Sequence, residues 1–77
     1  MEDIAVLKAR IWYAQNALDS IDEVVTGKVK VGDIEKVVKY NLERYHSALN
    51  GSFDNTLAFK QKVYYIETGE SVAILGF

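Results

Sequence analysis

A chain of 77 residues, 49% hydrophobic and 26% charged, has room for one small globular domain (1–77) and is too apolar for a disordered segment. It has no cysteine and one histidine, which excludes disulfides, thiolate metal sites and a histidine-built zinc centre. A net charge of −2 provides no overall pull toward nucleic acid or anionic lipid.

A core this small barely offsets the entropy of ordering the chain, and small domains without disulfide or metal commonly turn to oligomerisation. The opening Met and the absence of a tag read as a complete small gene product. Glu2 and Asp3 are acidic where a secretory leader needs positive charge. No apolar run approaches the roughly 20 residues that span a bilayer. The expectation is therefore a cytoplasmic protein with no membrane contact.

Residues 2–26 predict a long helix. Ile4, Leu7, Ile11, Ala14, Leu18, Ile21 and Val25 recur at spacings of three and four, an unbroken heptad a/d pattern. Gly27 follows as a stop. Residues 28–32 connect to a second helix over 33–49, with Asp33 as its N-cap. Its apolar face carries Ile34, Val37, Val38, Leu42, Tyr45 and Leu49, with Asn41 and Ala48 beside them. Asn50-Gly51 ends it, and the short connection predicts an antiparallel helical hairpin.

Beyond residue 52 aromatic and β-branched residues dominate. Leu57, Phe59, Val63 and Tyr65 alternate with Ala58, Lys60, Lys62 and Tyr64. Gly69 can take the positive φ of a tight turn before another apolar run. This predicts a β-hairpin with strands near 57–66 and 71–76, and so an α+β, mainly α, fold. The competing expectation is an all-α three-helix arrangement with a third helix near 54–66.

At about 100° per residue, the first helix carries a second apolar stripe: Val6, Tyr13, Ala17 and Val24, with Ala9 on its flank. One partner helix covers only a narrow seam, so this stripe calls for another neighbour. The candidates are the C-terminal hairpin of the same chain and the same helix of another subunit. Trp12 lies outside both stripes, and Tyr40 lies on the polar side of helix 2. Such aromatics are enriched at binding hot spots. Val6, Trp12, Tyr13, Ala17, Val24 and Tyr40 are thus the candidate partner-binding residues.

Residues 1–26 hold five acids against two bases, while residues 27–51 hold five bases against three acids. Attraction between the two helices is one account. A patch of Lys28, Lys30, Lys36 and Lys39 for phosphate or an acidic partner is the other, with Tyr40 placed to stack on a base. His46 has no nucleophile placed to serve it. Ser47 is adjacent, and adjacent helical positions point apart.

No catalytic residue, metal or cofactor is therefore expected. The reading is a non-enzymatic protein–protein interaction module, a small self-associating regulatory protein or an inhibitor or adaptor of bacterial or phage type. Its partner would be another protein, itself or both. The alternatives are a small nucleic-acid-binding protein using residues 28–40, or a structural subunit of a larger assembly.

Overall fold

A computed structural model describes residues 3–70. Three helices follow one another: α1 Ile4–Val25, α2 Ile34–Leu49 and α3 Leu57–Thr68. Each begins on an oxygen-bearing side chain that accepts from an orphan backbone N–H. Asp3 accepts from Ala5 N, Asp33 from Lys36 N and Thr56 from Phe59 N. A glycine at positive φ follows the last turn of each helix: Gly27 at 78°, Gly51 at 87° and Gly69 at 74°. That left-handed backbone strains any residue with a Cβ.

The expected α+β fold is not present. Residues 57–66, read as a strand, are the body of α3, and no strand occurs among the described residues. The all-α alternative fits. The expected second strand, 71–76, lies outside the described residues. The alternation that suggested a strand has a flaw at its centre, because Gln61 falls where the apolar series 57, 59, 63, 65 needs an inward residue. The helical reading has no such flaw. Phe59 is buried, and Lys62, Val63 and Ile66 are partly buried at positions three, four and seven further on, one face of a 3.6-residue period. Thr56 caps this helix and Gly69 ends it. Gly69 does take positive φ, but as a helix terminus rather than a hairpin turn.

α1 is the central element. α2 packs along it as the expected antiparallel partner, α3 packs on it from another side, and α2 and α3 do not pack on each other. The buried apolar residues are Ala5, Ala9, Ala14, Ala17, Val24, Ala48 and Phe59. Five of these seven are alanine, so the helices meet through small side chains that permit close approach. Little apolar area is removed from water in the process.

The molecule is accordingly open. Its Cα radius of gyration is 14.3 Å, against about 11.5 Å for a compact domain of this length. Its thinnest extent is 17 Å, about the depth of two helices.

Asn41 is buried in the seam, 4% exposed. Its Nδ2 donates to the Val37 carbonyl at 2.9 Å, and its Oδ1 accepts from Arg44 Nη1 at 2.8 Å. The polar group is thereby satisfied and desolvated at acceptable cost. The α2–α3 connection is tied back to α1 by a fork between Arg10 and Asp54. Arg10 Nε donates to Oδ1 at 3.2 Å and Nη2 donates to Oδ2. Gly51 lies against this fork, and a Cβ there would sit 3.0 Å from Arg10 Nη2.

Candidate interaction surfaces

The two apolar stripes of α1 exchange the roles the heptad pattern suggests. The stripe expected to need a second neighbour is covered within the chain. Ala17 and Val24 are buried, as is Ala9 on its flank, and Val6 and Tyr13 are partly buried. The a/d stripe, expected to seal the seam with α2, faces outward. Ile4 is 68% exposed, Ile11 60% and Val25 64%, with Leu7 and Leu18 close to 40%. Within that series only Ala14 is buried.

α2 behaves in the same way. Asn41 and Ala48 are buried and must face α1, the one helix α2 packs against. Ile34, Leu42 and Leu49 are exposed. Leu42 and Leu49 lie about a quarter-turn round from Asn41 and Ala48 at ~100° per residue, whereas Ile34 keeps the line of Asn41 and is exposed as the first residue of α2. On α1 the exposed stripe is likewise displaced from the seam, in the same rotational sense. For antiparallel helices, rotations of one sense carry both stripes to one side of the hairpin. Trp12 and Tyr13, which meet α3, are displaced the opposite way. Ile4, Leu7, Ile11, Leu18 and Val25 with Leu42 and Leu49 therefore form one outer face of seven aliphatic side chains, away from α3. Ile21, Val38 and Tyr45 lie partly buried between this face and the seam.

The α3 side is aromatic. Tyr13 stacks on Phe59 with centroids 5.9 Å apart, and Trp12 meets Tyr13 edge-on at 4.8 Å. Lys62 Nζ lies 3.8 Å from the Trp12 ring centroid and 5.5 Å from that of Tyr65. This cation–π contact occupies one face of Trp12, which stays 43% exposed. Burial raises the Tyr13 hydroxyl above its usual value, because the phenolate is the form that loses solvation.

Tyr40 is 62% exposed, with the Arg44 guanidinium carbon 5.9 Å from its ring centroid. Lys28, Lys30, Lys36 and Lys39 are all exposed at the end of the hairpin where α1 turns into α2. Asp19, Asp22 and Glu23 occupy the last turns of α1 at that same end, also exposed. The field there has both signs, which dilutes any phosphate attraction. Among the described residues no ion pair links α1 to α2, so attraction across the hairpin is not realised as contacts. His46 is exposed and edge-on to Tyr45 at 5.3 Å. Among the described residues, no group of three or more His, Asp or Glu side chains is placed to hold a metal ion. No described helix is long and apolar enough to cross a membrane.

The signal for the outer face lay in the alanines. Ala5, Ala9 and Ala17 mark the side of α1 where helices approach closely. Pattern reading weights large aliphatics and so assigns the heptad stripe to the interior. Comparison of the chain with known protein families, with curated proteins and with solved structures finds no match.

Proposed function

We propose that this chain is a non-enzymatic protein–protein interaction module of the small regulatory, inhibitor or adaptor kind, and that the outer face of the α1–α2 hairpin is its working surface. One observation carries the reading. Five large aliphatic residues of the heptad series on α1, Ile4, Leu7, Ile11, Leu18 and Val25, are exposed outside the fold, with α2 adding to them. Seven such side chains present several hundred Å² of apolar surface, on the order of the largest functional patches found on monomers.

The test is the size of the native particle in extracts of cells that make the protein. The wild-type chain is expected to elute well above monomer size. An Ile11→Glu/Leu18→Glu variant is expected to elute as a folded monomer. A wild-type chain that elutes as a free monomer in such extracts overturns the reading.

A further inference from the structure

We infer that the occupant of the outer face is a second copy of this chain, docked face to face about a two-fold axis to complete a four-helix arrangement of α1 and α2 from each copy. The inference rests on the interaction-module reading and specifies its partner. Three features point to a second copy.

The first is area. The seven aliphatic side chains are 38–68% exposed, and their combined surface of several hundred Å² makes up most of the roughly 800 Å² per partner that a stable interface buries. The α1–α2 hairpin has α3 on one side and this apolar face on the other, and a second hairpin laid on the face covers it.

The second is pattern. Spacings of three and four along α1 are the periodicity of helix-on-helix packing, and the face is formed by two antiparallel helices. An isologous interface demands a surface complementary to itself. A two-fold axis along the helix direction lays α1 over the other copy's α2, so that all neighbouring helices run antiparallel. The chain's own residues 71–77 are a poorer occupant. Seven residues extend at most about 25 Å, whereas Ile4 to Val25 alone spans ~31 Å at 1.5 Å per residue, and α2 adds a second row beside it.

The third is charge. The centre of the face carries none. Its rim carries Lys8, Asp19 and Asp22 along α1 and Glu35 and Lys39 along α2. Asp22 and Lys39 make no ion pair among the described residues, and Asp19 accepts only from Gln15 Nε2. With α1 over the second copy's α2 and the connecting loops at the same end, Asp19 stands level with the second copy's Lys39, and Asp22 lies between that Lys39 and Glu35. The Asp19–Lys39 pairing then recurs at both symmetry-related edges, and Glu35 offsets part of it.

Sedimentation equilibrium of the purified full chain over a hundredfold range of concentration tests this. The expected result is a dimer at micromolar concentration. Ile11→Glu/Leu18→Glu should be monomeric throughout with its helical circular dichroism retained, and the milder Ile4→Ser/Val25→Ser should weaken the dimer at least tenfold. Tyr40→Ser, on the opposite side of the hairpin, and Val72→Ser/Phe77→Ser, in the C-terminal segment, should leave it unchanged. A wild-type chain that is monomeric when pure overturns the inference. If it is still large in extracts, the module reading stands with a different partner. If it is monomeric in both, that reading falls too. A dimer that survives both face variants places the interface elsewhere, and a dimer dissociated by the Val72/Phe77 changes with its helical circular dichroism retained places the interface in the C-terminal segment. Either result overturns the inference.

Discussion

Two sides of one helix differ in what they are made of. The inner side of α1 carries Ala5, Ala9, Ala14 and Ala17, two of them fully buried, while the outer side carries Ile4, Leu7, Ile11, Leu18 and Val25 with roughly 40–70% of their surface in water. Apart from Val24, the buried residues of α1 are its smallest ones. Alanines inside allow backbones to approach, but each contributes little transfer free energy. The large aliphatics outside realise the remainder of the about 1.5–3 kcal/mol that full burial gives each only once something covers them. α1 therefore positions its neighbours with its small residues and keeps its hydrophobic driving force on the other side.

The largest expected effect tests the one inner contact made by a large ring. Phe59 is buried and stacks on Tyr13, and among the described helices α3 packs on α1 alone. Phe59→Ala should cost about 3 kcal/mol or more. Because α2 and α3 do not pack on each other, the loss should be local. Amide hydrogen exchange should show residues 57–68 deprotected while the α1–α2 seam keeps its protection. Equal loss in all three helices would mean that α3 is a structural part of the hairpin.

Next comes the tightness of the inner side. Ala17 has no solvent exposure. Ala17→Leu adds volume where two helices meet and should destabilise by about 1–3 kcal/mol in urea unfolding. A neutral or stabilising result would show room in the seam and remove the contrast between the two sides.

The Arg10–Asp54 fork is smaller. Its side chains are 17% and 27% exposed, so it is screened less than a surface pair and more than a buried one. Asp54→Asn keeps the shape and removes the charge, and should cost about 1 kcal/mol, read as a lowered urea midpoint.

How much of this was legible in the sequence follows from which signals are local. Asp33, Gly27 and Asn50-Gly51 act through their own backbone, and they mark helix ends where the chain places them. α3 was harder. Its Val63, Tyr64, Tyr65 and Ile66 favour strands intrinsically, and only the Thr56 cap, the Gly69 stop and the docking of Phe59 against Tyr13 favour a helix. Docking is tertiary and overrides propensity. The choice between the two stripes of α1 was hardest. Both are apolar, and the decision rests on how closely α2 and α3 approach, which alanine permits without announcing it in a hydrophobic pattern. The candidates Val6, Tyr13, Ala17 and Val24 thus lie largely inside, while Trp12 and Tyr40 keep substantial exposure.

Tyr13 gives a pH test of the α3 side. Burial raises its folded-state pKa above the ordinary 10.0. Folding then favours the protonated phenol, and the contribution is fully present below pH 10. Stability should fall as pH rises from there through the folded pKa, because the unfolded chain releases the proton first. Tyr13→Phe has no proton to lose, and its stability should be flatter over that alkaline range in pH-dependent urea unfolding. A Phe variant with the same alkaline slope as wild type would assign the loss to other groups.

The smallest expected effect is the most discriminating. By hydropathy Ile11→Gln is a severe change and by position it is mild, since Ile11 is 60% exposed and on the outer face. Measured on the monomer, at protein concentrations low enough to dissociate any assembly, the substitution should shift stability by no more than about 0.5 kcal/mol. At high concentration the wild type should gain a concentration-dependent stabilisation, because whatever binds the folded state alone raises its stability by mass action. The variant should lose that gain. Equal unfolding midpoints at low protein and divergent midpoints at high protein would locate the contribution of Ile11 between molecules. A deficit of 2 kcal/mol or more at every concentration would place Ile11 in the interior after all, and the size order of the two sides of α1 would be the conventional one.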